Sequence, residues 1–364
     1  MAFAIFLPIV FIIYWAIPHK FRWPLLLVVS YYFYMSWNPK YVVLILFTTI
    51  ISYAAGLIVE HCKSIKGKRI TLAVTLFSCL GVLFFFKYFN FISESISDLL
   101  GLFSIRLNPI ILKITLPVGI SFYTFQTLSY VIDVYRGDVK AERNLGIYAT
   151  FISFFPQLVA GPIERTSNLL PQIKSEKHFD YDKAAYGLKL MAWGYFKKMV
   201  LADRAALLVS TVFGSPSDYS GGVVILAMLV YTLQIYTDFA GCMDIVRGSG
   251  ALFGIEITRN FHQPFFSRSI GEFWRRWHMT LGAWFKDYIF YPVTLSKANM
   301  KLGRWAKKHL SPHLGQVMPT AFALFFVWLA NGIWHGAAWK YVAYGMYYYV
   351  LTLFGLLFKP MIFL

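Results

Sequence analysis

Charged residues are scarce in this sequence, since Asp, Glu, Lys and Arg make up only 14% of its 364 residues. Soluble domains carry about 25%. Hydrophobic residues supply 58% and the mean hydropathy is +0.57. This composition excludes a soluble surface over most of the chain. Apolar stretches recur to the C-terminus, so a cleaved signal peptide does not account for them, and lipid must solvate much of the protein.

Cysteine is scarce too, and several chemical signatures are missing. Cys62, Cys79 and Cys242 are too few and too scattered for a disulfide framework. His278 and His335 are far apart in sequence and have no cysteine or carboxylate at zinc-like spacing, so we expect no metal. The sequence also lacks a glycine-rich phosphate loop and a GxSxG nucleophile elbow. Internal repeats and linkers are absent, which favours one membrane domain over residues 1–364 with no bound cofactor.

Acidic residues are outnumbered two to one, 17 against 34 basic ones, which gives a net charge of +17. The basic residues sit in short loops between apolar stretches, as the positive-inside rule describes, and not in a nucleic-acid-binding patch. We therefore expect no nucleic acid partner. The rule places loops 19–22 and 61–69 in the cytoplasm and the N-terminus outside.

Uncharged stretches of a length suited to a hydrocarbon core of about 30 Å recur along the chain. They are residues 41–59, 70–86, 144–163, 222–237, 317–334 and 341–358. Pro156, Gly161 and Pro162 interrupt the third, which predicts a segment buried in protein. Residues 91–107 and 186–200 resemble interfacial segments. Residues 244–308 mix arginines with aromatics and predict short helices shielded from lipid. The fold class is all-α and polytopic.

His335 is the leading candidate for chemistry. It ends an apolar stretch, between Gly332 and Gly336, which allow close approach of backbone or substrate. Imidazole moves protons near neutral pH, and polar groups at membrane depth are costly. A histidine at a helix end, bonded to a carbonyl, explains the same pattern.

His278 is the second candidate. On a continuous helix, Trp274 and Arg275 would share its face at i−4 and i−3. The arginines Arg275 and Arg276 could anchor phosphate or carboxylate. The alternative is a juxtamembrane aromatic belt with snorkelling arginines.

Two polar stripes lie on apolar helices. Gln234 and Asp238 are four residues apart, and Gln126, Ser129 and Asp133 form a similar set. Either stripe could line a watery path or bond neighbouring helices, and helix bonding is favoured for the second.

These motifs resemble the membrane-bound O-acyltransferase family, in particular its bacterial branch that O-acetylates polysaccharides such as alginate. The resemblance covers nearly the whole chain. It rests on residues 116–130, 133–137, 154–163, 234–241 (Gln-Ile-Tyr-Thr-Asp-Phe-Ala-Gly), 272–278 (Glu-Phe-Trp-Arg-Arg-Trp-His) and 331–336 (Asn-Gly-Ile-Trp-His-Gly).

The resemblance implies a ring of membrane helices around a thin centre of short tilted helices, crossed by a tunnel. His335 matches the essential histidine of the family and His278 its second histidine. Asn331, Trp334, Trp274, Arg275, Asp238 and Gln234 are expected to support the site or bind substrate. The donor would be acetyl-CoA or another acyl thioester taken from the cytoplasm. Its phosphates would meet Arg275, Arg276 or the basic tract at 297–308.

The implied location is a bacterial cytoplasmic membrane. The implied partners are membrane lipid, an exported polysaccharide and a secreted SGNH-type acetyltransferase. Residues 293–297 read Val-Thr-Leu-Ser-Lys and not the glycine-rich loop of the alginate branch, so the resemblance does not indicate which polysaccharide is acetylated. Homologues extend beyond the last motif, whereas this chain ends at Leu364, so we expect a fragment lacking C-terminal helices.

Two other functions fit the pattern. One is transfer of D-alanine to teichoic acid from a carrier protein, although residues 157–162 (Gln-Leu-Val-Ala-Gly-Pro) favour the acetyl branch. The other is a transporter, in which the polar stripes line a path and His335 is not required.

Overall fold

A computed structural model describes residues 2–105 and 107–358, which contain eighteen α-helices and no β-strand. The helices are α1 (Ala2–Ala16), α2 (Arg22–Met35), α3 (Val42–His61), α4 (Ile65–Lys87), α5 (Phe89–Gly101), α6 (Ile120–Arg136), α7 (Leu145–Ser153), α8 (Phe155–Leu158), α9 (Thr166–Lys174), α10 (Tyr181–Tyr195), α11 (Asp203–Gly214), α12 (Gly221–Leu252), α13 (Ile270–Arg276), α14 (Met279–Phe285), α15 (Tyr291–Thr294), α16 (Lys297–His309), α17 (Pro312–His335) and α18 (Trp339–Leu357). Short 3-10 or π-helical turns extend several of them. That the chain is a fragment lacking C-terminal helices beyond Leu364 remains a prediction.

Four helical stretches are long and apolar enough to cross a membrane. They are Pro39–His61, Ile65–Lys87, Gly221–Leu252 and Pro312–His335, and each contains a predicted span. Helix α18 has 19 residues but carries five tyrosines and is not among the four. The prediction of an all-α polytopic membrane protein is confirmed.

The proline-containing stretch at 144–163 is buried and broken, as predicted. Helix α7 ends at Ser153, and the separate turn α8 follows Phe154. Tyr148 and Phe151 are fully buried. The backbone N–H of Phe155 donates to the Ser30 hydroxyl at 3.0 Å, so the break does not leave this donor unsatisfied.

The boundary predicted for the polar segment at 244–308 is wrong at its N-terminal side. Helix α12 does not end near Asp238 but continues to Leu252. The Asp244 carboxylate accepts a hydrogen bond from Lys197, so its charge is paired inside the protein. Gly241 and Gly194 let α12 and α10 approach closely. A paired charge and small residues therefore extend a helix that composition alone would end.

The chain divides into two compact units. The first comprises residues up to Thr75 together with Phe125–Asn260, and the second comprises Leu76–Thr124 and the chain from Phe261 onward. In the second unit, α17 packs against α16 and α18, and both predicted catalytic histidines belong to this unit. The single domain over residues 1–364 and the ring with a central tunnel remain predictions.

Helices α17 and α18 cross at two glycines. A Cβ atom added to Gly332 would lie 2.4 Å from the Tyr341 carbonyl oxygen, and one added to Gly345 would lie 2.4 Å from that of Trp328. No side chain fits between backbones this close, so the crossing requires glycine at both positions.

We expect Gly345→Ala to lower the free energy of unfolding by about 1–3 kcal/mol, because the added methyl group forces the two helices apart. Gly355→Ala on the same helix is the matched control, since a Cβ there meets no atom within 4 Å. The control should gain up to about 1 kcal/mol of helix propensity. Thermal unfolding of both variants in detergent measures the difference, and equal stabilities would contradict the crossing.

Candidate active site

His335 is the last residue of α17, and the chain leaves the helix at Gly336. A Cβ atom at Gly336 would lie 2.2 Å from the Tyr341 ring, so the turn into α18 is tight. The imidazole packs edge-on against the Trp334 and Tyr344 rings, with centroids 5.0 and 5.4 Å away. His335 is exposed, and no described residue hydrogen-bonds to its ring. The alternative of a histidine bonded to a carbonyl is thus not observed in the described chain.

His278 is not on a continuous helix with Trp274 and Arg275, so the predicted shared face is wrong. Helix α13 ends at Arg276, and His278 precedes α14 with φ 45° and ψ 52°, in the left-handed region. The Arg276 carbonyl accepts from the backbone N–H of His262 at 2.9 Å. That partner lies 14 residues away, so no local pattern predicts the break.

The Trp334 ring packs against both histidines. Its ring centroid is 5.6 Å from that of His278 and 5.0 Å from that of His335. Phe122 packs edge-on against the same indole at 5.6 Å. The structure therefore brings His278, Trp334 and His335 into one cluster, although the histidines are 57 positions apart in sequence.

Burial determines the charge state of His278. Its side chain is only 4% exposed. Desolvation, with a smaller contribution from nearby His335, lowers the pKa of His278 well below its ordinary value. The imidazole is therefore neutral at physiological pH, and one ring nitrogen can donate while the other accepts.

Asn331 lies one helical turn before His335 and is 8% exposed. Its side-chain Oδ1 is buried and has no hydrogen-bond partner among the described residues. A buried amide oxygen without a partner is costly and uncommon. Asn331 is thus a polar group available to a ligand on the helix that carries His335.

Trp274 has a packing role instead of a contact with His278. Its ring lies 5.0 Å from that of Trp328 and 4.8 Å from that of Tyr348, both edge-on. The indole therefore joins α13 to α17 and α18. Arg275 beside it is exposed, whereas Arg276 pairs with Glu272 at 2.6 Å.

Sequence reasoning missed Lys87 and Tyr88 at the end of α4. The Lys87 ammonium donates to the backbone carbonyl of Trp334 and, at 3.2 Å, to the Ser121 hydroxyl. The Tyr88 hydroxyl donates to the Ile333 carbonyl at 2.9 Å. A lysine followed by tyrosine at the end of an apolar span is their only sequence signal, and ordinary snorkelling residues share it.

Comparison with known proteins places the chain in a family. The model of the membrane-bound O-acyltransferase family matches residues 141–363, more than half of the sequence. The chain belongs to the membrane-bound O-acyltransferase family. The matched region contains both histidines and Trp334.

Bacterial members of the membrane-bound O-acyltransferase family are similar over most of the chain. A probable alginate O-acetylase of Azotobacter vinelandii is 36% identical over 94% of this chain and 65% of its own length. A peptidoglycan O-acetyltransferase of Helicobacter pylori is 31% identical over 94% of this chain and 66% of its length. A teichoic acid D-alanyltransferase of Bacillus subtilis is 29% identical over 64% of this chain and 57% of its length. The chain thus spans between 57% and 66% of the length of these relatives, less than two thirds of each.

In this family member, Gln234 and Asp238 lie on α12, within the first unit. Asp238 pairs with Lys198 at 2.8 Å, and Lys198 also pairs with Asp203 at 2.8 Å. The Gln234 Oε1 atom is buried without a hydrogen-bond partner among the described residues. Asp238 therefore has a structural partner, whereas Gln234 keeps an unused acceptor.

The second polar stripe bonds neighbouring helices, as favoured from the sequence. The Gln126 amide donates to the Phe151 carbonyl at 2.8 Å, and its oxygen accepts from Gln157 at 3.3 Å. The Ser129 hydroxyl donates to the Gln126 carbonyl at 2.9 Å within α6.

Among the described residues, no cluster of three His, Cys, Asp or Glu side chains could hold a metal ion.

We expect Asp244→Asn to destabilise the protein more than Asp238→Asn. Asp244 and Lys197 are 15% and 12% exposed, whereas Asp238 and Lys198 are 44% and 35% exposed. Loss of the Asp244 charge leaves the Lys197 charge uncompensated in the less exposed pair, at a cost of about 3 kcal/mol. The more exposed pair contributes below about 1 kcal/mol. Thermal unfolding of the two matched variants measures the order, and the reverse order would contradict these roles.

Proposed function

We propose that this chain carries the acyl-transfer site of a membrane O-acyltransferase that acetylates an exported or cell-wall polysaccharide. The observation that supports it best is the cluster of His335, Trp334 and His278, in which one imidazole is exposed and the other is buried and neutral. The donor is acetyl-CoA or another acyl thioester from the cytoplasm. The protein works in a bacterial cytoplasmic membrane, with a secreted SGNH-type acetyltransferase as partner.

His335 acts as the general base in the proposed reaction. Its imidazole removes the proton from the acceptor hydroxyl while the oxygen attacks the thioester carbonyl carbon. A C–O bond forms, the tetrahedral intermediate collapses, and the C–S bond breaks. The imidazolium then returns the proton to the departing thiolate. The products are an ester and a free thiol, and no oxidant or metal ion is needed.

The neighbouring groups divide the remaining tasks. Neutral His278 can donate a hydrogen bond to the oxyanion that develops on the thioester carbonyl. Asn331 offers its amide to the acceptor or the donor, since its buried oxygen has no described partner. Trp334 packs against both imidazoles and so holds them in one cluster. These roles keep His278 and Asn331 as supporting groups and His335 as the base.

Helix α16 suits the phosphates of a CoA donor. Lys297, Lys301, Arg304 and Lys308 follow one another at helical spacing and are all exposed. Ala306 and Asn299 turn inward on the same helix. A cationic stripe of this kind binds phosphate groups as a set of charges. Exposed Arg275 is a further candidate in the second unit.

Two other functions remain as alternatives. D-alanyl transfer is supported by the name of the Bacillus subtilis relative, which is less similar and covers less of the chain than the acetylating relatives. A transporter is disfavoured by the aromatic surroundings of His335, because a substrate path requires a polar lining. The acyl group found in the envelope distinguishes all three.

We expect His335→Ala to abolish acetyl ester on the cell-surface glycan, a loss of at least about 100-fold, because the general base is removed. His278→Asn should lower it about 10-fold or more, since one oxyanion donor is lost. Asn is preferred to Ala at position 278 because the backbone is left-handed there and Asn tolerates that region. Acetate and D-alanine released by mild base are measured separately.

The control is His309→Ala, an exposed histidine on α16 in the same unit. It should leave ester content unchanged at equal membrane levels of protein. A normal acetyl ester content in His335→Ala would refute the proposed enzymatic function. Loss of D-alanine instead of acetate would show that the transferred group is D-alanine and would favour D-alanyl transfer to teichoic acid. Loss of acetyl ester in His278→Asn but not in His335→Ala would make His278 the general base and His335 the supporting group.

For the donor site, we expect the triple variant Lys301→Ala, Arg304→Ala, Lys308→Ala to raise the KM for acetyl-CoA about 10-fold with little change in kcat, because charges that bind phosphate act on ground and transition states alike. The KM for acetyl-pantetheine, which has no phosphate, should not change. Transfer of labelled acetyl groups in inverted membrane vesicles measures both constants.

The matched control replaces Lys63, Lys66 and Lys68, which form another basic cluster before and within α4. This variant should keep the wild-type KM for both donors. An equal rise in KM for both donors in the α16 variant would show that α16 does not bind the phosphates of CoA.

A further inference from the structure

Lys87 and Tyr88 bond to the helix end that carries His335. The Lys87 ammonium donates to the Trp334 carbonyl, and the Tyr88 hydroxyl donates to the Ile333 carbonyl at 2.9 Å. These are the two carbonyls immediately before His335 in the chain. Neighbouring residues at the end of α4 thus bind neighbouring carbonyls at the end of α17, and we call this arrangement the α4 clamp.

A helix end leaves its last four carbonyl groups without partners inside the helix. In water such carbonyls are solvated, whereas in a membrane protein an unpaired one costs several kcal/mol. An ammonium group is the best partner, because the C-terminal end of a helix carries partial negative charge. The clamp therefore satisfies two groups that would otherwise allow the last turn to fray.

The direction of Lys87 distinguishes the clamp from ordinary snorkelling. A snorkelling lysine extends its ammonium toward water. Lys87 instead directs it to a backbone carbonyl of α17 and to the Ser121 hydroxyl in the first turn of α6. The same ammonium lies 5.6 Å from the centre of the Trp334 ring. One side chain thus joins the ends of three helices beside the indole that both histidines contact.

We infer that Lys87 and Tyr88 are positioning residues, which hold the last turn of α17 so that His335 stays at a fixed place for acyl transfer. They act through Ile333 and Trp334 and touch no reacting atom. This inference rests on the proposed function of His335. A displacement of about 1 Å at a reacting group can cost about 100-fold in rate, so loss of the clamp affects kcat more than substrate binding.

The test compares Lys87→Met, Lys87→Arg and Tyr88→Phe in the vesicle assay with acetyl-CoA. Lys87→Met keeps the length of the side chain but removes its charge and donors, and we expect kcat to fall about 10- to 100-fold with KM within about 2-fold. Lys87→Arg should restore most of the rate. Tyr88→Phe should lower kcat by less, because only one neutral hydrogen bond is lost. Lys66→Met, exposed in the first turn of the same helix, should match wild type.

Hydrogen exchange of the whole protein provides a readout that does not depend on activity. Peptides covering residues 331–338 should exchange faster in Lys87→Met than in Lys66→Met, since the unclamped turn opens more often. Unchanged exchange in this peptide would overturn the clamp whatever the activity. Faster exchange throughout the second unit would also overturn it, because Lys87 would then support folding in general.

The kinetic results separate this inference from the proposed function. An active wild type, an inactive His335→Ala and a fully active Lys87→Met would refute the clamp and keep the enzyme. A His335→Ala variant as active as wild type would refute the enzyme, and the exchange experiment would still decide whether the clamp exists.

Discussion

The candidate site depends on how the backbone carbonyls at the C-terminal end of α17 find hydrogen-bond partners. Lipid offers no hydrogen bonds, so the free carbonyls of a helix end must find partners in the protein. Here they come from the adjacent residues Lys87 and Tyr88. On the same helix, Gly332 allows the backbone of α18 to approach directly. Polar bonds on one helix and close packing on another together fix where α17 stops, and His335 is the residue at which it stops.

The two histidines reach one cluster by different structural routes. His335 closes a long apolar helix, whereas His278 occupies a left-handed break between two short helices. Trp334 contacts both rings, so one aromatic side chain packs against both imidazoles. Burial keeps His278 neutral, and exposure keeps His335 accessible. Two identical side chains can therefore perform different tasks, because their surroundings differ.

The sequence predicts the long apolar helices and the end of α17 well, because hydrophobic length and glycine position are local signals. It also singles out His335, Asn331 and Trp334, which share one helix and one short motif, and their functional roles remain predictions. It fails where distant partners decide the outcome. The Arg276 carbonyl bonds to the His262 amide and ends α13, so the predicted face of Trp274, Arg275 and His278 does not exist. Pairing of Asp244 with Lys197 likewise prolongs α12 beyond its predicted end. The sequence does not predict the role of Lys87, because a lysine that ends an apolar span usually extends its ammonium toward water.

Transport and acyl transfer place different demands on polar residues in a membrane. A transport path requires a continuous series of polar groups, and each must release the substrate that it binds. Acyl transfer requires one base held at a fixed place, since a mobile base loses the advantage of orientation. The described surroundings of His335 are the rings of Trp334 and Tyr344. The polar atoms nearby belong to the clamp, where the lysine ammonium is occupied by a carbonyl and a hydroxyl. Such groups are arranged to hold a helix end still, which suits a catalytic base better than a pathway that must change with each passing substrate.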